Sequence, residues 1–168
     1  MIAQVSIIMG STSDMPIMEA TANFLNDMRI PFEIHALSAH RTPEAVEQFA
    51  KHAEANGIKV IIAAAGMAAH LPGVIASMTT LPIIGVPIKA SLDGLDALLA
   101  IVQMPPGIPV ATVGVGNAKN AGLLAARILG THNAEVSTRI SEMMEAARVA
   151  SLEKGKKLNA QRNHKTGF

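Results

Sequence analysis

Five short apolar runs recur along the chain, Val5 to Met9, Phe32 to Leu37, Lys59 to Ala64, Pro82 to Val86 and Ile108 to Val113, with segments of helical spacing between them. Each gap is long enough for a crossover helix and its turns, so strand and helix alternate about five times. Strands joined in this way lie parallel, with helices covering both faces of the sheet through right-handed crossovers. The runs are apolar almost without interruption, as expected of strands buried on both sides. Pro16-Ile17-Met18 opens the first helical segment, placing Ile17, Ala20, Phe24 and Met28 on one face. Pro43-Glu44-Ala45 opens the second, with Val46, Phe49 and Ala53 inward. Proline suits the first turn of a helix, where its missing N–H has no partner to lose. Gly57, Pro82 and Pro109 mark the returns to strand.

From Asn133 to about Gln161 the pattern changes to one long helix, with Val136, Ile140, Met143, Met144, Ala147 and Leu152 as its apolar positions. The fold class expected is α/β: a three-layer, flavodoxin-like (Rossmann-like) parallel sheet with helices on both faces and a long C-terminal helix. No linker or second composition regime divides the 168 residues. They are expected to form one catalytic domain over 1–168, with a core over about 1–130, the helix over 133–161 and a flexible tail over 162–168.

Composition excludes several chemistries. There is no Cys, which removes thiol nucleophiles, zinc–thiolate sites and redox dithiols. With a net charge of +1 and four Phe as the only aromatic residues, the chain lacks the basic face and stacking rings of a nucleic-acid binder. No apolar stretch approaches the ~20 residues needed to span a bilayer, and Met1-Ile2-Ala3-Gln4-Val5 does not read as a secretory signal. A cytoplasmic protein with no nucleic-acid or membrane partner is expected. Lys154, Lys156, Lys157, Arg162 and Lys165 make the C-terminus basic, which a solvated terminus explains more simply than a binding function.

In an open α/β sheet, ligands bind outside the carboxyl ends of the strands, where the strand-to-helix loops converge. The first such loop, Gly10-Ser11-Thr12-Ser13-Asp14, offers hydroxyls and free N–H groups at a helix start, a setting suited to phosphate or sugar. Capping of the helix by Ser13 or Asp14 is the plainer alternative. The second, Ser38-Ala39-His40-Arg41-Thr42-Pro43, supplies a planar cation for phosphate in Arg41. It also supplies in His40 the side chain whose ordinary pKa, about 6.5, permits proton uptake and release near neutrality. An isolated His would more often cap or pack; a neighbouring Arg in a strand-end loop reverses that preference. The third, Ala65-Gly66-Met67-Ala68-Ala69-His70-Leu71-Pro72-Gly73, is built of small residues that let backbone approach a planar ligand. His70 either positions a substrate or makes a structural hydrogen bond to a neighbouring loop. His35, His52, His132 and His164 have no comparable setting and read as structural or solvated.

Other motifs fail on inspection. Gly114-Val115-Gly116-Asn117-Ala118-Lys119 begins like a dinucleotide fingerprint, yet has Lys119 where the third glycine belongs. No Gly-Lys-Ser/Thr loop and no Gly-x-Ser-x-Gly elbow is present. Carboxylates do not cluster with His40 and His70, so no metal site is expected.

Met9-Gly10-Ser11-Thr12-Ser13-Asp14, Ser38 to Pro43, Ala68-Ala69-His70-Leu71-Pro72-Gly73, Gly85-Val86-Pro87 and Ile101-Val102-Gln103-Met104-Pro105 resemble, in order, the signature segments of the 5-(carboxyamino)imidazole ribonucleotide mutases of purine biosynthesis, the bacterial catalytic subunit of phosphoribosylaminoimidazole carboxylase. The resemblance covers about residues 1 to 130. It implies transfer of a carboxylate from the exocyclic nitrogen to carbon 4 of an aminoimidazole ribonucleotide, by decarboxylation and recarboxylation, with no cofactor and no metal. By the same resemblance His40 is the acid/base and Ser11, Ser13, Asp14, Ser38 and Arg41 bind ribose and phosphate. Gly66, Ala68, His70 and Leu71 form the loop over the base and the migrating carboxylate. A homo-oligomer, an octamer with sites between subunits, is implied as well. Met67 departs from the small residue usual at its position, and either narrows the pocket or points outward. The stretches Lys89 to Gly94 and Gly114 to Asn120 are shorter than in common members. A carboxylase using free carbon dioxide and a non-catalytic nucleotide-binding module are the competing readings; His40 argues against the second, which has no use for an acid/base. With no aromatic ring for stacking outside four Phe, the base is expected to lie against backbone and small side chains around Gly66 and Ala68.

Overall fold

The computed structural model describes residues 2–162. The elements run β1 (Val5–Met9), a 3-10 turn (Thr12–Asp14), α1 (Met15–Asp27), β2 (Phe32–Ala36), α2 (Pro43–His52), β3 (Val60–Gly66), α3 (Leu71–Ala76) and β4 (Ile83–Ile88). A second 3-10 turn (Leu92–Gly94), α4 (Leu95–Val102), β5 (Ala111–Thr112), α5 (Ala118–Gly130) and α6 (Ala134–Arg162) follow. The five strands are all parallel in the order β2-β1-β3-β4-β5, the flavodoxin-like order.

Alternation along the buried strands divides the interior into two layers. Val5, Ile7 and Met9 of β1 and Val60, Ile62 and Ala64 of β3 face α1 and α5, with α6 leaning on α5 through Val136 and Ile140. Ile8, Ile61 and Ala63 face the other way, against α2, α3 and α4. Fully burying a Val, Ile or Met side chain stabilises by about 1.5–3 kcal/mol. Close packing depends on small residues: a Cβ on Gly85 would sit 2.3 Å from Cγ2 of Ile101, so β4 and α4 meet only because that position is bare.

Four expectations need correcting. The buried face of α1 is Met18, Thr21, Ala22, Phe24, Leu25 and Met28, and Ala20 is exposed. Thr21 masked this stripe; its hydroxyl is hidden because it donates to the carbonyl oxygen of Ala118 at 2.7 Å, bonding α1 to the start of α5. The fifth strand pairs over only two residues. Gly107 turns with φ 93, Ile108 donates back to Pro105, and Pro109 has no N–H to give, so 107–109 cannot join the ladder. The edge strand β2 is only partly buried, with Ile34 exposed, unlike β1, β3 and β4. β3 and β4 run two residues further than their apolar cores suggest, to Gly66 and Ile88.

The long helix starts at Ala134, capped by the Asn133 side chain, which accepts from the Val136 N–H at 3.1 Å. Its packing on the core ends near Met143; Met144, Leu152 and Leu158 are exposed. The expected tail over 162–168 lies outside the described residues apart from Arg162, which closes α6, and His164 falls there too. No helix of the described residues is long and apolar enough to cross a membrane.

Candidate active site

β1 sends its following helix to one face of the sheet, while β3 sends its helix to the other. The chain ends of these two adjacent strands therefore diverge and leave a crevice at their carboxyl ends. A cavity of about 490 Å³ occupies this place. Ser11, Ser13, Asp14, Ser38, His40, Arg41, Gly66, Ala68, His70 and Leu71, from three loops distant in sequence, all line it. Gly10, Ala39, Ala65, Met67, Ile88 and Ala90 complete the wall. Ile88 and Ala90 carry no chemical signal in the sequence; they reach the cavity because β4 pairs beside β3 through Gly66↔Ile88.

The first loop does not spend its carboxylate on capping the helix. Ser11, rather than Ser13 or Asp14, caps the 3-10 turn, accepting from the Ser13 N–H at 3.3 Å and from the Ser13 hydroxyl at 2.9 Å. Asp14 stands at the start of α1 without making a side-chain cap. Burial pushes its carboxyl above the ordinary value, and the Ser13 hydroxyl, 3.3 Å from Oδ1, partly opposes the rise.

The second loop is braced internally. Thr42 Oγ1 donates to the carbonyl oxygen of Ser38 at 3.1 Å and accepts from the Ser38 N–H at 3.0 Å, while Ser38 Oγ accepts from the Arg41 N–H at 3.2 Å. The guanidinium of Arg41 donates from Nε to Ser38 Oγ at 3.4 Å and from Nη2 to the Gly10 carbonyl oxygen at 3.3 Å. Both bonds are long, so the guanidinium retains donors for an anion between the first two loops.

The third loop presents backbone. A Cβ on Gly66 would lie 3.2 Å from the Ile88 carbonyl oxygen, so a side chain here would press on β4. Met67 adopts a left-handed φ of 53 and is 59% exposed at the rim, so it does not plug the cavity. His70 Nδ1 lies 2.8 Å from His40 Nε2 with the rings edge to face, 4.9 Å between centroids. The hydrogen bond from His70 to a neighbouring loop thus exists, and its partner is the other candidate histidine. Of the remaining histidines, His35 Nε2 lies 3.0 Å from Glu33 Oε1 against the Phe49 ring, and His52 Nδ1 lies 2.8 Å from the Gln48 carbonyl oxygen, both away from the cavity.

The stretch Lys89 to Gly94, beside the cavity wall at Ala90, contains Leu92 and Asp93 at φ 44 and 55, then Gly94 at φ 86. Asp93 pairs with Lys89 at 2.8 Å. Such a run of left-handed residues is costly for Leu and Asp, and nothing in the local composition announces it.

The sequence model of the AIR carboxylase family matches residues 4–150. The chain is 57% identical over 155 residues to the N5-carboxyaminoimidazole ribonucleotide mutase of Pyrococcus horikoshii, covering 92% of this chain and 88% of that protein. It is 54% identical to the protein of the same name from Thermotoga maritima over 156 residues, 92% of this chain and 91% of that one. Among solved structures, Treponema denticola PurE superimposes with a TM-score of 0.85 at 34% identity, over 93% of this chain and 98% of that one.

Proposed function

The chain belongs to the AIR carboxylase family, and from that membership together with the cavity we infer that it acts as an N5-carboxyaminoimidazole ribonucleotide mutase of purine biosynthesis. It is an enzyme that moves a carboxylate from the exocyclic nitrogen of its nucleotide to carbon 4. The observation that carries the assignment of roles is the placement of His40 and Arg41, adjacent in one loop, on the cavity that the hydroxyl-rich Ser11 to Asp14 loop also lines. An acid/base group thereby sits one residue from an anion anchor.

Each step asks little of the protein. Ser11, Ser13, Ser38 and Arg41 hold the phosphate, and Asp14 accepts from ribose hydroxyls, since a carboxylate would repel the phosphate itself. The base lies against Gly66, Ala68 and Leu71, with no Phe, Tyr or Trp in the wall to stack on it. Cleavage of the nitrogen–carboxyl bond returns an electron pair to the exocyclic nitrogen, to which His40 delivers a proton, and carbon dioxide is released beside the ring. Carbon 4 then attacks the carbon dioxide, and His40, now neutral, takes the proton from carbon 4. The proton balance closes on one histidine. Confinement keeps carbon dioxide within reach of carbon 4, replacing a bimolecular encounter by a positioned one.

Direct carboxylation by free carbon dioxide is not favoured, since the Pyrococcus horikoshii and Thermotoga maritima proteins, matched over 88% and 91% of their own length, carry the mutase name. In the same reading one catalytic domain spans the chain, the enzyme works in the cytoplasm, and the assembly is a homo-octamer with sites shared between subunits. Support for self-association comes from apolar side chains left in solvent. Leu95, Leu99 and Val102 recur at helical spacing along one exposed face of α4, Leu92 is exposed in the turn before it, and Met144, Leu152 and Leu158 are exposed on α6. The function is tested by supplying purified protein with either the N-carboxylated nucleotide or aminoimidazole ribonucleotide plus bicarbonate, both without ATP. Turnover of the first is expected; turnover of the second alone contradicts the assignment.

A further inference from the structure

His40 has two ring nitrogens, and the fold commits one of them. Its Nε2 lies 2.8 Å from Nδ1 of His70. Two ring nitrogens at that separation require one proton between them, because two lone pairs or two N–H groups would repel. Among the described residues this is the one hydrogen bond made by either ring. The edge-to-face geometry, 87° between planes, places the Nδ1 edge of His70 at the tip of the His40 ring. We propose that His70 is a positioning residue for His40: it accepts the Nε2–H of His40, and so leaves Nδ1 of His40 as the nitrogen that exchanges protons with the nucleotide. This rests on the reading of His40 as the acid/base.

The arrangement fits both proton transfers. Before carboxyl loss His40 is an imidazolium, with Nε2–H donated to neutral His70 and a second proton on Nδ1. That second proton goes to the exocyclic nitrogen as the nitrogen–carboxyl bond breaks. His40 is then neutral, still donating Nε2–H to His70, with a lone pair on Nδ1 that takes the proton released from carbon 4. No proton leaves the pair and no co-reactant is needed. Without His70 the neutral ring could shift its proton to Nδ1 or rotate, presenting an N–H to carbon 4 where a lone pair is required. Fixing one nitrogen of an imidazole is the general means of selecting the tautomer at the other.

The test combines two variants with nitrogen-15 NMR of the ring nitrogens. His70→Leu keeps bulk and removes the acceptor; His70→Asn places an amide oxygen near the position of Nδ1. With the N-carboxylated nucleotide, H70L is expected to lower kcat by about 30-fold or more with KM within about threefold, and H70N to recover most of that loss. Unchanged kcat in a folded H70L protein, or a raised KM at unchanged kcat, would overturn the proposal, the latter by marking His70 as a substrate contact. The wild-type spectrum decides separately and needs neither variant nor turnover: neutral His40 is expected to carry its proton on Nε2, and a proton on Nδ1 instead overturns the proposal. Failure of the wild type to turn the nucleotide over would contradict the proposed function, while the ring spectrum would still report on the pair.

Discussion

The guanidinium Nη2 of Arg41 donates to the carbonyl oxygen of Gly10 at 3.3 Å, tying the loop after β2 to the loop after β1 in the wall of the cavity. One cation therefore both joins the two loops and faces the anchor for a phosphate. Arg41→Ala removes a charge-assisted contact worth about 1.5–3 kcal/mol, so nucleotide Kd should rise roughly tenfold to a hundredfold. Calorimetric titration with the product nucleotide measures this, and an unchanged Kd would remove Arg41 from the anchor.

His40 has the opposite signature. It is expected to carry the proton in both directions, a role worth on the order of 10²–10⁴ in rate. His40→Asn should lose turnover on that scale while binding the product nucleotide within a few-fold of wild type. A variant that still turns over at the wild-type rate sinks the acid/base role.

Asp14 links the site to stability. Burial raises its carboxyl above the ordinary value of 3.8, which means that folding disfavours its charged form. Such a group contributes stability below its unfolded pKa and withdraws it as pH rises through the folded one. At pH 7 the charged Asp14 is thus a net cost, tolerated for its place in the wall. Asp14→Asn should melt higher than wild type at pH 7, with the margin closing as pH falls through the raised folded pKa and gone below 3.8, and should bind nucleotide more weakly. A lower melting temperature at pH 7 would contradict this sign.

Met67 holds a left-handed φ of 53 while more than half exposed, so its side chain gains little to offset a backbone strain of about 1–2 kcal/mol. Glycine accepts that conformation freely but loses about 0.5–1 kcal/mol of entropy on folding. Met67→Gly should therefore stabilise by up to about 1 kcal/mol in denaturant unfolding. Destabilisation would mean that the exposed Met67 side chain makes contacts that outweigh the strain.

Much of this site is legible in the sequence, because each strand-end loop announces its own chemistry: hydroxyls after β1, His40-Arg41 after β2, small residues after β3. What sequence could not carry was the relation between loops. His40 and His70 are thirty residues apart, and their contact follows from a sheet order that seats β1 between β2 and β3. Ile88 and Ala90 are ordinary residues made relevant only by the register of β4 on β3. Thr21 lies on the buried face of α1 although polar, because its hydroxyl bonds to the carbonyl oxygen of Ala118, a partner invisible to periodicity. The fifth strand looked six residues long because apolarity was visible, whereas the missing N–H of Pro109 and the turn at Gly107 set its length.

The central claim is that one carboxyl group passes between two atoms of the same nucleotide inside this cavity. Nucleotide labelled with carbon-13 in its N-carboxyl group, incubated with the protein and excess unlabelled bicarbonate without ATP, tests it directly. The 4-carboxy product should retain the label at early turnover. Product carrying the unlabelled carboxyl of the bicarbonate pool would contradict it, showing that carbon dioxide is taken from solution and not passed across the ring.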